Sequence, residues 1–173
     1  MVNELILRLK KFAKQDFPVH QVSNYLKSLP LNDKSLKKYV LFRNEFYTRN
    51  LIHKEKNFEI LVICWPQKTD APIHGHEGEK CWARVEAGEL QIGNYNEESK
   101  SPLKLNLIDE LPCTAGHLDG PADIHSVRNT SNDFATSLHV YAKPYDACDV
   151  YNLEKGIIER KKLGYFSIKG KVC

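Results

Sequence analysis

Pro72-Ile73-His74-Gly75-His76, with Cys81 five residues further on, and the distant His125-Ser126-Val127-Arg128-Asn129 decide how this chain folds. In an extended strand, side chains two apart share a face, so the imidazoles of His74 and His76 aim at one place. His125 offers a third neutral nitrogen donor. Three ligands on one side of a metal leave its other side open, which suits chemistry better than structural support. A lone His-x-His is weak evidence, because histidines on exposed strands are common. The surroundings strengthen it. Ala87-Gly88-Glu89-Leu90 reads as a tight turn between two strands, and Gly116-His117-Leu118-Asp119-Gly120-Pro121 as a turn leading into the strand of His125.

The two segments resemble the paired motifs of the cupin superfamily: His-x-His, then a glutamate, six residues and a glycine; and a Gly/Pro-rich turn, a histidine, three residues and an asparagine. The departure is Cys81, which stands about where a typical cupin has its glutamate ligand; Glu77 and Glu79 are out of step with that spacing. A three-histidine site with no protein anion leaves an Fe(II) ion its full double charge. Such an ion favours a soft anionic ligand from the substrate, and a thiolate answers to that. Zinc also accepts three histidines, so spacing alone leaves the metal open. Downstream, Ser137-Leu138-His139-Val140-Tyr141 alternates polar and apolar residues, which puts Ser137, His139 and Tyr141 on one face as a hydrogen-bonded row.

With these features together the chain resembles the cysteine dioxygenase family. The resemblance lies in Tyr47-Thr48-Arg49-Asn50-Leu51, Ile63-Cys64-Trp65, Ile73 to His76, Cys81, His125 with Asn129, Ser137 to Tyr141, and Tyr145-Asp146-Ala147-Cys148, spanning about residues 40–150. It implies one Fe(II) per chain held by His74, His76 and His125, and oxidation of L-cysteine by O₂ to cysteine sulfinic acid. It implies that Tyr141, supported by His139 and Ser137, acts beside the oxygen position. Arg49 would clamp the substrate carboxylate in a bidentate contact that lysine cannot match, with Tyr47 adding a hydroxyl. Arginine there favours cysteine over 3-mercaptopropionate as substrate. The resemblance further implies a thioether between Cys81 and Tyr141. Two rival readings are a dioxygenase of another small thiol and a non-catalytic metal-binding cupin. The family's Ser-Pro-Pro after the tyrosine is replaced here by Ala142-Lys143-Pro144, so the turn is either rebuilt or strained.

The rest of the chain bounds the class. Its 173 residues fit one cupin domain over 1–173, with a helical N-terminal layer at 1–43 and a β-barrel with C-terminal strands at 44–173. The expected class is α+β, mainly β, a double-stranded β-helix barrel. Leu5, Leu9 and Phe12, with Ile6, follow a helical period; Pro18 and Pro30 punctuate; Asn32-Asp33 offers a cap for a short helix to Tyr39 and Val40. Phe58 to Trp65 is a dense apolar β-rich run, and Leu103 to Ile108 alternates. A net charge of +3 is too small to argue for nucleic acid, and Arg160-Lys161-Lys162 reads as a solvated face. No apolar stretch is long enough to span a bilayer, and the N-terminus does not read as a secretory signal. The five cysteines are an odd set without Cys-x-x-Cys, which is no disulfide framework. A monomeric cytoplasmic enzyme acting on small molecules is the expectation; Cys64 and Cys113 are expected to pack as small hydrophobes.

Overall fold

The structure, a computed structural model, describes residues 1–173 with the side chain of Ala122 excepted. Helix α1 (Val2–Ala13) turns Val2, Leu5, Leu9 and Phe12 inward, spaced by three and four residues as one helical face requires. Left-handed backbone at Asp16 and Phe17 breaks the chain away from it. Helix α2 (Val19–Ser28) begins immediately after Pro18, buries Val22 and Leu26, and stops ahead of Pro30, whose ring cannot continue a helix. A 3-10 turn, Lys34–Tyr39, follows, with the Asp33 carboxylate accepting from the Ser35 amide at 2.8 Å. The expected helical layer is therefore three short pieces.

Strands fill the remainder: β1 (Thr48–Lys54), β2 (Glu59–Trp65), β3 (Asp70–Gly75), β4 (Lys80–Ala87), β5 (Glu89–Lys100), β6 (Leu103–Thr114), β7 (Leu118–Ala122), β8 (Ile124–Arg128), β9 (Ala135–Ala142), β10 (Ala147–Asn152), β11 (Ile157–Lys162), and the short β12 (Ser167–Ile168) and β13 (Lys171–Val172). They form two facing sheets, in the orders β13-β12-β1-β2-β9-β4-β7 and β11-β10-β3-β8-β5-β6. This is the expected double-stranded β-helix. The segment from Gly116 was expected to be a turn; its second half, from Leu118, instead pairs with β4 as β7. The β4–β5 turn falls where expected. Gly88 takes φ +75°, and a Cβ there would lie 2.7 Å from the Phe134 carbonyl oxygen, so a side chain has neither the conformation nor the room.

The first sheet is buried on both faces, which is why β2 and β9 read as unbroken buried runs. One face, with Ile60, Val62, Cys64, Trp82, Leu138 and Val140, packs under the helices against Leu5, Leu9 and Phe12. The other, with Leu61, Ile63, Trp65, Val85 and Tyr141, packs against Leu90, Ile92 and Val127 of the second sheet. Arg84 of β4 ties the layers together. Its buried guanidinium donates to the carbonyls of Leu26 and Leu29 at 2.8 and 2.7 Å, and its Nε to Glu86 at 2.7 Å. It thereby anchors the C-terminal end of α2 to the first sheet.

Candidate metal centre and substrate cavity

The barrel interior near one end is where the two sheets place their polar side chains. His74 lies in β3; His76 is the first residue beyond it; His125 lies directly opposite His74 in β8. One donor atom from each lies within 4.8 Å of the others. Each Nδ1 is committed elsewhere. His74 donates to the Pro72 carbonyl at 2.8 Å, His76 to the Asp123 carbonyl at 2.7 Å, and His125 to the Asp119 carboxylate at 3.2 Å. Those bonds fix the tautomer, so the three Nε2 lone pairs are left to converge. His76 Nε2 is buried with no hydrogen-bond partner. A buried unpaired nitrogen is costly, and a divalent cation between the three rings would satisfy it. The donor set fits a metal ion. Burial, with the neighbouring imidazoles adding to it, pushes His74 down to about 3 and His76 well below the ordinary value, so neither proton competes for the site.

Facing the histidines, β9 presents Ser137, His139 and Tyr141 as the alternation predicts. Ser137 Oγ and His139 Nε2 are 2.8 Å apart, and His139 Nδ1 and Tyr141 Oη 3.2 Å. Trp65 supports this row: its indole N–H donates to Ser137 Oγ at 2.8 Å, and its ring stacks on Tyr47 with centroids 5.0 Å apart. Burial holds His139 well below the ordinary imidazole value and raises the Tyr141 phenol, so both are neutral. Cys81 of β4 is the direct cross-strand partner of Tyr141, and both are buried. Burial also raises the Cys81 thiol, and it does not join the metal cluster among the described residues.

Arg49 projects from β1 into the same cavity, which Tyr47, His74, His125, Tyr141 and Tyr145 also line. Its guanidinium carbon lies 5.8 Å from the Tyr141 ring centre. Sequence reading missed what stands behind it. Glu59 of β2, fully buried, sits 3.6 Å from Arg49 Nη2. Glu59 Oε2 accepts from the Tyr165 hydroxyl, which also accepts from Lys54, and Lys54 pairs with Asp146 at 3.0 Å. The one available signal was a single acid inside the apolar run Phe58–Trp65, in phase with Ile63 and Trp65, which line the cavity. Asp119 was missed because its segment reads as a turn. Asn94 donates to its carboxylate at 3.1 Å, and these bonds keep Asp119 below the usual carboxylate range despite its burial. Asn129, from the second motif, has a structural place: its amide donates to the carbonyls of Trp65, Pro66 and Asp133. The Ala142-Lys143-Pro144 turn is rebuilt; the cis bonds among the described residues are Ser101–Pro102 and Gly120–Pro121. Arg160 is ion-paired with Glu77 and Asp149, and Lys161 lines the cavity, so the expected solvated face is partly engaged.

Comparison with known proteins agrees with this arrangement. Cysteine dioxygenase type 1 of Danio rerio is 24% identical over 179 residues, covering 98% of this chain and 88% of that protein. The Bos taurus protein of the same name is 25% identical over 152 residues, covering 84% and 75%. Among solved structures, a Thermus thermophilus protein superposes with a TM-score of 0.53 at 20% identity, over 66% of this chain and all of that one. A Klebsiella pneumoniae protein described as having a double-stranded β-helix domain gives 0.50 at 16% identity, over 65% and 90%. Those two likenesses speak for the fold. Residues 1–154 match the model of the family described as cysteine dioxygenase type I, and the chain belongs to that family.

Proposed function

We propose that this chain is a mononuclear iron(II) enzyme that oxidises L-cysteine with O₂ to cysteine sulfinic acid. The observation that carries the reading is Arg49. A guanidinium nine-tenths buried, with an Nε that has no partner, opens onto the cavity that holds the three histidines. A buried cation with unspent donors beside a metal site calls for an anion, and a planar carboxylate matches its fork. An amino acid carrying a thiol supplies the carboxylate at one end and a sulfur ligand at the other. Iron, when bound by His74, His76 and His125, would supply the place where thiolate and O₂ meet.

The protein's share is orientation and one proton. Arg49 fixes the substrate carboxylate and Tyr47 adds a hydroxyl, which sets the distance from clamp to sulfur. The Trp65 indole can only donate, so Ser137 Oγ accepts from it and keeps its own proton for His139 Nε2. In that tautomer His139 Nδ1–H donates to the Tyr141 oxygen, and the phenol proton remains directed to the cavity. Glu59 and Asp119 act as positioning residues, behind Arg49 and His125 respectively.

The test is anaerobic loading with Fe(II), then addition of cysteine and isotopically labelled O₂, read by mass spectrometry. About one iron per chain and a sulfinate carrying both labelled atoms are expected. His125→Ala should lose the iron while keeping the fold. Tightly bound metal with no oxidised thiol from any substrate would make the chain a metal-binding cupin without this chemistry.

A further inference from the structure

Tyr145 is a phenol at the cavity that the reading above leaves without a task. It stands in the loop between β9 and β10, and it lines the cavity together with Tyr47, Arg49, His74 and His125. Its ring meets that of Tyr141 edge to face, with centroids 5.2 Å apart and planes at 85°, and lies 6.1 Å from the His76 ring. The Arg49 guanidinium carbon lies 5.8 Å from the same Tyr141 ring centre. Tyr145 and Arg49 therefore both flank Tyr141 on the cavity wall. The loop is tied on each side of Tyr145. Lys143 pairs with Glu79 at 3.0 Å, the Asp146 carboxylate pairs with Lys54 at 3.0 Å, and the Asp146 carbonyl accepts from the Leu163 amide at 2.9 Å. A hydroxyl carried by a fixed loop binds without first having to be ordered.

The hydroxyls of Tyr141 and Tyr165 are committed to His139 and Glu59, whereas that of Tyr145 has no hydrogen-bond partner among the described residues. Burial, with Tyr141 and Cys81 adding to it, pushes the Tyr145 phenol far above its ordinary range although Arg49 pulls the other way, so it keeps its proton and can donate. Packing alone does not call for that oxygen, since an apolar ring would fill the same space without a polar group to satisfy. A carboxylate offers about four acceptor sites. The Arg49 fork can fill a pair of them and Tyr47 another, which leaves one for a further donor. We propose, resting on the thiol dioxygenase reading for the identity of the substrate, that Tyr145 completes the clamp: its hydroxyl donates to the substrate carboxylate beside Arg49 and helps to select thiols that carry one. Three small thiols separate the groups that could be read. Cysteine has a carboxylate and an amine, 3-mercaptopropionate only the carboxylate, and cysteamine only the amine.

The experiment loads wild type and Tyr145→Phe with Fe(II), the variant keeping the ring and losing only the oxygen. Each is titrated anaerobically with the three thiols by calorimetry, then assayed for sulfinate formation under O₂. Tyr145→Phe is expected to weaken binding of cysteine and of 3-mercaptopropionate by about tenfold, with kcat/KM falling alongside, because a hydrogen bond to a charged group is lost. Cysteamine should change by less than about twofold. Unchanged affinity for both carboxylate thiols overturns the proposal. So does a loss shared equally by cysteamine, because ring packing would then be at work, and so does a loss confined to cysteine, because the amine would then be the partner. The expected losses in binding without sulfinate from the wild type would overturn the dioxygenase reading and leave the clamp in place. Failure of the wild type to bind any of the three overturns both.

Discussion

In the function proposed above, Arg49 is the side chain that joins recognition to chemistry. Its aliphatic stem leaves β1, its Nη2 faces Glu59, and its Nε is without a partner. Arg49→Ala should therefore weaken turnover of cysteine by about 2–4 kcal/mol in kcat/KM while sparing cysteamine, which has no carboxylate. The check is the ratio of rates on the two thiols, and an unaltered ratio would remove the carboxylate contact. The histidines were legible because their chemistry is local, a period of two gathering His74 with His76 and Ser137 with Tyr141, whereas Arg49 was legible only through the family resemblance. Glu59 and Asp119 were not. Each works through a partner fixed by packing, and nothing near Glu59 in sequence announces Arg49 ten residues before it or Tyr165 far beyond.

Among the elements, β9 is the one on which the site depends most. It lies between β2 and β4, and its register sets Tyr141 opposite Cys81 and Ser137 opposite Ile63. Directly paired residues keep their Cβ atoms about 4.5–5.5 Å apart, which is near enough for the Cys81 sulfur to add to the Tyr141 ring. Joining them removes the thiol hydrogen and one ring hydrogen, with O₂ as oxidant. Protein given cysteine and O₂ should yield a linked Cys81–Tyr141 peptide on digestion, in greater amount than protein kept anaerobic. Cys81→Ala should lose that species yet retain iron. Two unmodified peptides after prolonged aerobic turnover would dismiss the link; lost iron in Cys81→Ala would place the sulfur among the ligands. The strands themselves were legible from alternation and from the β2 run. The start of β7 was not, because its Asp-Gly-Pro content carries turn chemistry that pairing with β4 overrides.

For the molecule as a whole, helices, first sheet and second sheet are stacked so that the site lies between the sheets and the helices lie behind them. Several titratable groups are consequently buried. His74, His76 and His139 refuse protons that the unfolded chain binds near pH 6.5. Metal-free protein should then lose stability as pH falls below about 6.5, because the unfolded state takes up more protons than the folded one. Burial raises Glu59 and Glu86, which act in the opposite direction, so the histidine part is isolated by substitution. Chemical denaturation at pH 7 and pH 5 should show a smaller drop for His139→Gln than for wild type, and equal drops would take His139 out of the account. The helical layer was readable from three- and four-residue spacing; its anchorage by Arg84 was not, since that residue shows in sequence only as a charge within a strand. The two faces of β9 have one further consequence. Odd positions 137, 139 and 141 look toward the three histidines, while even positions 138 and 140 lie in the helix-facing core. Chemistry and durability are thus written on alternate letters of one strand. Leu138 and Val140 can be exchanged for other apolar residues to adjust durability with the reactive row left as it is, whereas one inserted or deleted residue would interchange the two messages and ruin both.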